Sequence, residues 1–318
     1  MATAIALWLL GGGGLALYAG WAATAVADGA SPWGYVAGLP LLYLATLFAI
    51  TLIWFALAWI FRATRPPQMR IGPVASIRLF WDEMRAIARA GPRMALYRRL
   101  ISEPAPAPAK TPVLLLHGVL CNAGAMHGLR CDLLARNIGP VYALSYGPPL
   151  ASIEVFADQV AAKIDAILGA TGASRVAIVG HSMGGLVARA YLRRYGAQKV
   201  RSVMTLGTPH HGSVHARLFP GVSLAQLRPG NAWLAELNRA EGVPAGVRFV
   251  SLWSWHDSMV APQTSARLAG AENIELPGIG HNALLGNRRV FALVAAELAR
   301  VPPAPASGKP AVPARTYQ

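Results

Sequence analysis

The first 61 residues contain no lysine or arginine, and Asp28 is their single charge. Two uncharged runs fill this stretch, residues 2–27 and 29–61, the second densest over 35–60. A helix crosses the hydrocarbon core with about 20 apolar residues at about 1.5 Å rise each, so both runs are long enough to span. The glycines at 11–14 and Pro40 are tolerable in lipid where neighbouring helices satisfy the freed backbone groups. Trp8, Trp21, Trp33, Trp54 and Trp59 lie mostly toward the ends of the runs, where indoles favour the membrane–water interface. The first run lacks the basic start of a secretory leader and a second apolar run follows at once, so residues 1–62 are expected to form two transmembrane helices.

Charge orients the pair. Nine arginines lie between residues 62 and 99 against only Asp82 and Glu83, which leaves that stretch at +7 of the chain's total +15. Basic residues beside a span stay on the cytoplasmic side and are drawn to anionic headgroups. That places the remaining chain in the cytoplasm and the loop at 28–32 outside. The same excess of charge is no sign of nucleic-acid binding, because no zinc-finger spacing, RNA-recognition motif or recognition helix accompanies it. Cys121 and Cys131 fit no zinc site and read as unpaired thiols, with one bridge left open for an oxidising compartment. No metal and no cofactor is expected. A transporter would need more than two spans.

Residues 63–110 read as a basic juxtamembrane segment ending in a linker. Within it, residues 74–90 are amphipathic: Val74, Ile77, Phe80, Trp81, Met84 and Ile87 recur at helical spacing opposite Arg78, Asp82, Arg85 and Arg89. Gly91-Pro92 is expected to end this helix. It either lies on the inner leaflet or packs against the following domain, and the sequence favours neither. Residues 103–112 form a semi-rigid Pro/Ala linker, and the Pro-rich tail 301–318 is expected to be disordered. Between them, residues 111–300 alternate short apolar runs (113–116, 141–145, 175–179, 200–206, 248–253, 273–276) with helical patterns (152–168, 184–195, 287–300). Alternation of this kind predicts an α/β domain, a mostly parallel sheet covered by helices.

Gly180-His181-Ser182-Met183-Gly184 is a G-x-S-x-G motif between a strand pattern and a helix pattern. A tight strand-to-helix turn there thrusts a serine hydroxyl clear of the sheet. The hydroxyl is a feeble nucleophile until a base takes its proton. Chain order Ser–acid–His points to His281, in the glycine-rich loop Pro277-Gly278-Ile279-Gly280-His281, as base. Asp257, after the run 248–253, is the expected acid that orients the imidazole. Glu275, inside a strand pattern, and Glu272 are its rivals. His210, His211 and His215 come early and are expected to shape the entrance or cap a turn. His256 is expected to be solvated and His117 to pack within its loop. Two amides would hold an oxyanion, that of Val119 after the run 113–116 and that of Met183 after the serine.

The set HGV, GHSMGG, LGTPHHGS (206–213), WHDSMVAP and GIGH resembles bacterial lipases and esterases of the α/β-hydrolase superfamily, the small Bacillus-type lipases in particular, over about residues 111–300. The resemblance implies the α/β-hydrolase fold, a Ser182–Asp257–His281 triad and an oxyanion hole from Val119 and Met183. The smallest lipases of this type lack spans, so an extracellular triglyceride role does not transfer. Calcium-binding relatives carry acidic residues near the catalytic histidine; here its neighbours are Asn282, Ala283 and Leu284, and no structural calcium is expected. Residues 209–246 either form a small cap, whose Leu218, Phe219, Leu224, Leu227, Trp233 and Leu237 would meet an acyl chain, or pack most of these residues on the sheet; if they form a cap, Trp233→Ala would alter chain-length preference. The expected protein is a hydrolase of the bacterial inner membrane acting on a lipid or small-molecule ester. A thioesterase or acyltransferase would use the same triad, and a non-catalytic membrane scaffold is the reading from another class.

Overall fold

The computed structural model describes residues 2–239 and 243–300; the tail 301–318 lies outside the described residues. Two long helices open the chain, α1 (Ala2–Ala27) and α2 (Pro32–Ile60), and α2 continues through Pro40. They meet edge to face through Trp21 and Tyr35 at 4.9 Å, and the Tyr18 hydroxyl donates to the Tyr35 carbonyl at 2.8 Å. Most of their leucines, isoleucines and tryptophans are exposed. Both helices are long and apolar enough to cross a membrane.

After a turn at Pro67–Met69 comes α3 (Pro73–Ala95), followed by the short α4 (Tyr97–Leu100). Gly91-Pro92 does not end α3. Proline removes one helical hydrogen bond, but tertiary contact at this end outweighs the local signal. The Met94 carbonyl accepts from Asn122 Nδ2 at 2.9 Å, and the backbone of Arg93 packs so closely on Gly124 that a Cβ there would lie 2.7 Å from the Arg93 carbonyl carbon. The buried face also departs from the expected one. Leu79, Glu83 and Met84 are buried, whereas Val74, Ile77 and Trp81 are exposed. Two partners divide the apolar positions: Phe80 meets Phe48 and Phe55 of α2, while Glu83 meets the domain that follows. The inward face of this helix packs on the domain, and Val74, Ile77 and Trp81 stay on its outer face.

Six strands form one parallel sheet in the order β2-β1-β3-β4-β5-β6: β1 (Val113–Leu116), β2 (Val141–Leu144), β3 (Val176–His181), β4 (Val200–Leu206), β5 (Arg248–Ser254) and β6 (Glu272–Leu276). Successive side chains point to opposite faces, and the core divides accordingly. Leu114, Leu116, Ile178 and Val203 lie on one side, under α6 (Ile153–Thr171) and α7 (Met183–Tyr195). Leu115, Val179, Met204 and Leu252 lie on the other, with α5 (His127–Ala135) and α10 (Arg288–Arg300). Ser152 caps α6 by accepting from the Glu154 amide, and Gly172, in the left-handed region at φ 65°, closes it.

Residues 209–246 include α8 (Val222–Gln226) and α9 (Ala232–Arg239). Leu224, Leu227, Leu234 and Leu237 join the core on the α6–α7 side. Trp233 packs there too: its indole donates to Glu154 Oε1 at 2.7 Å, and Arg193 sits over its ring. The amphipathic pattern of α9 is thus satisfied by the domain core, and Trp233 is held by α6 and α7 instead of facing an acyl chain. Leu218 and Phe219 remain exposed.

Candidate active site

In a doubly wound sheet, ligands bind beyond the carboxyl ends of the strands where the strand order reverses. Here that point lies between β1 and β3, since the chain leaves β1 toward β2 and later leaves β3 toward β4. Ser182 stands there, at the end of β3 and the start of α7. Its φ of 54° with ψ of −126° is a conformation that costs a non-glycine residue about 1–3 kcal/mol. Surrounding bonds hold it: the Ser182 amide donates to the Leu206 carbonyl at 2.9 Å, and Thr208 Oγ1 donates to the Ser182 carbonyl at 2.8 Å. So sharp a turn requires glycine at position 180, where a Cβ would lie 2.6 Å from the Gly185 amide nitrogen. The loop after β1 closes the other side, because a Cβ on Gly118 would stand 3.5 Å from Ser182 Oγ. Val119 follows in that loop. Met183 heads α7, so its amide is one of those a helix leaves without an internal partner.

Beyond β5 and β6 the structure brings Asp257 and His281 together. His281 Nδ1 lies 2.9 Å from Asp257 Oδ2, both residues buried. The second carboxylate oxygen, Oδ1, accepts from the amides of Met259 at 2.8 Å and Val260 at 2.7 Å. Those bonds fix the carboxylate and leave Oδ2 for the ring. Burial works against the imidazolium of His281, yet the charge and hydrogen bond of Asp257, with a further contribution from the charge of Glu83, raise its pKa above the usual histidine value. The pair borders the serine turn. The residue after Leu206 is Gly207, where a Cβ would lie 3.0 Å from Asp257 Oδ2 and 3.3 Å from His281 Nδ1. From the serine side, the ring of His181 is 4.7 Å from that of His281.

The sequence pattern of the family described as the alpha/beta hydrolase fold matches residues 145–241. A triacylglycerol lipase of Burkholderia plantarii is 32% identical over 145 residues, which cover 40% of this chain and 37% of the relative. A triacylglycerol lipase of Pseudarthrobacter phenanthrenivorans is 48% identical over 59 residues, 19% of this chain and 18% of the relative. This chain therefore matches well under half the length of these relatives. Among solved structures, the mature form of Bacillus licheniformis lipase BlEst2 superposes with a TM-score of 0.53 at 20% identity, covering 61% of this chain and 95% of that one. Aspergillus fumigatus lipase B gives a TM-score of 0.55 at 22% identity over 66% of this chain and 58% of that one. The chain has the α/β-hydrolase fold.

The other histidines of the chain are engaged away from the Asp257–His281 pair or pushed toward neutrality. His181 Nε2 lies 3.1 Å from the His281 carbonyl; a carbonyl can only accept, so the proton sits on Nε2. Burial and the nearby His281 lower the His181 pKa to about 3. His117 is stacked on Tyr146 with Nδ1 2.8 Å from the Gly118 carbonyl, and burial lowers its pKa to about 4. His256, expected to be solvated, is buried instead: Nδ1 accepts from the Gly278 amide at 3.1 Å, and burial, helped by Arg65, lowers its pKa to about 4. It is drawn inward because the loop after β6 folds back over it. His210 sits between Arg189 and Thr205, while His215 bonds Ser213 and faces Trp54 of α2 at 5.3 Å. The rival acids are committed elsewhere, Glu275 to the Trp255 indole and Arg267, Glu272 to Arg248.

One residue went unrecognised in the sequence. Glu83, on α3, reaches the loops of Asp257 and His281. No acid adjoins His281 along the chain, but in space Glu83 joins Asp257 beside it. Nothing local signals this, because Glu83 is simply one acid in an arginine-rich helix.

Proposed function

We propose that the chain is a membrane-anchored serine hydrolase that cleaves carboxylic esters through an acyl-enzyme on Ser182. The observation that carries this reading is the buried Asp257–His281 hydrogen bond at 2.9 Å beside the strained serine turn. Asp257 holds the proton of His281 on Nδ1 and leaves Nε2 as the basic nitrogen. Nε2 takes the proton of Ser182 Oγ as the oxygen bonds to the ester carbonyl carbon, and the carbonyl electron pair moves to its oxygen. The amides of Val119 and Met183 donate to that oxyanion, each worth about 2.7–4 kcal/mol in such sites. Collapse re-forms the carbonyl, breaks the bond to the leaving alcohol, and returns the proton from Nε2 to the alcohol oxygen. Water then repeats the sequence, releasing the acid and freeing Ser182.

Position supports a lipid ester as substrate. Trp54 of α2 lies 5.3 Å from the His215 ring and 6.1 Å from that of Phe219, so the second apolar helix borders the reacting end of the sheet. Gln263, six residues beyond Asp257, bonds the Ala58 carbonyl and the Ala63 amide. We read α1 and α2 as two spans of a bacterial inner membrane, with the hydrolase body on the arginine-rich cytoplasmic side.

A fluorophosphonate probe is expected to label the full-length protein in detergent and not Ser182→Ala. A series of p-nitrophenyl esters from acetate to palmitate is expected to be hydrolysed by the wild type alone. An alanine variant with an unimpaired rate would end this reading. Protease added to inverted membrane vesicles should digest the hydrolase body, and protection there would reverse the orientation.

A further inference from the structure

Glu83 is fully buried between Leu79 and Met84 on the inward face of α3. A carboxylate in such a place must find donors, since an unpaired buried charge is very costly. It finds four. Oε1 accepts from Ser258 Oγ at 2.6 Å, from the Asn282 amide at 3.0 Å and from Asn282 Nδ2 at 2.9 Å; Oε2 accepts from the Ala283 amide at 2.9 Å. Ser258 directly follows Asp257, and Asn282 directly follows His281. Ser258 Oγ also accepts from the His281 amide at 3.4 Å, which closes the network. The contact is tight: a Cβ on Gly280 would stand 2.7 Å from Glu83 Cδ. The Asn282 and Ala283 amides begin the turn Asn282–Leu285, so the carboxylate also caps the segment that starts at His281.

We propose, on the reading that Ser182, Asp257 and His281 form a catalytic triad, that Glu83 is its positioning residue. One carboxylate, delivered from outside the sheet, ties the acid loop to the base loop and places a second negative charge near the imidazole. The charged and titratable groups facing His281 are Asp257 from the loop after β5, His181 from β3, His215 from the segment after β4 and Glu83 from α3. Neutralising Glu83 removes an interaction that favours the imidazolium, so the base should lose its proton at lower pH.

The test uses the full-length protein in detergent. Glu83→Gln keeps the size, removes the charge and sets an NH2 group against donors. It is expected to lower kcat about tenfold to a hundredfold with KM little changed, and to move the acidic limb of kcat/KM to lower pH. A purely structural role would not move that limb. Should Glu83→Gln fail to fold, Ser258→Ala, which removes one donor and keeps the charge, is expected to lower kcat with the limb unmoved. A wild-type kcat or an unmoved limb in Glu83→Gln, or a wild-type kcat in Ser258→Ala, would overturn the proposal. Absence of fluorophosphonate labelling in the wild type would instead defeat the triad reading beneath it.

Discussion

At the scale of single residues, Asp257 has two distinct tasks, one for each oxygen. Oδ1 is spent on the Met259 and Val260 amides, and Oδ2 meets the ring. Asp257→Asn leaves the shape and removes the charge, and the amide group has a donor end that conflicts with either set of N–H partners. We expect kcat to fall about 10³–10⁴-fold with KM nearly constant, measured on a short-chain p-nitrophenyl ester. With His281 as the proposed base, active only when neutral, its raised pKa should set the acidic limb of the wild-type profile above 6.5. This candidate site could be proposed from the chain because each of its members stands in a short pattern with a fixed order, Ser182 in G-x-S-x-G, then Asp257, then His281 after Gly280. Glu83 has no such pattern. Its bonds reach 175 and 199 residues along the sequence, and no local periodicity registers a contact of that range.

At the scale of elements, the strands were legible because a parallel strand buried on both faces is a short apolar run with nothing else to be. The helix α3 was legible as a helix and misleading as a face. Its apolar positions serve two neighbours at once, so a single amphipathic axis could not describe it, and the Gly91-Pro92 stop yielded to packing on Gly124. Backbone contact also sets what glycine does in each element. Gly169 lies in α6 with open space where a Cβ would be, and Gly169→Ala should raise stability by about 0.5–1 kcal/mol. Gly180 faces the backbone of Gly184 and Gly185, and Gly180→Ala should cost about 1–3 kcal/mol and weaken fluorophosphonate labelling together. Thermal melts of the two variants side by side test the contrast.

At the scale of the whole molecule, the buried histidines tie stability to acidity. His117 and His181 have folded pKa values of about 4 and about 3, below the ordinary 6.5. The unfolded chain therefore binds protons first, and folding loses free energy as pH falls through 6.5, about 2 kcal/mol for each by pH ~5. His281 runs the opposite way: its raised pKa adds stability that is fully present below 6.5 and lost as pH rises through the folded value. Since His210 and His256 are lowered as well, and His281 is the single raised histidine, the melting temperature in detergent should drop from neutral pH to about pH 5. The carriage of Glu83 on α3 bears on how the protein can be divided. A shortened form beginning at the Pro/Ala stretch 103–112 would retain every strand together with Ser182, Asp257 and His281, and would still lack the carboxylate that braces their loops. Any trimming for solubility has to fall ahead of Gly72, and it then inherits the bare Val74, Ile77 and Trp81 as a surface in need of detergent.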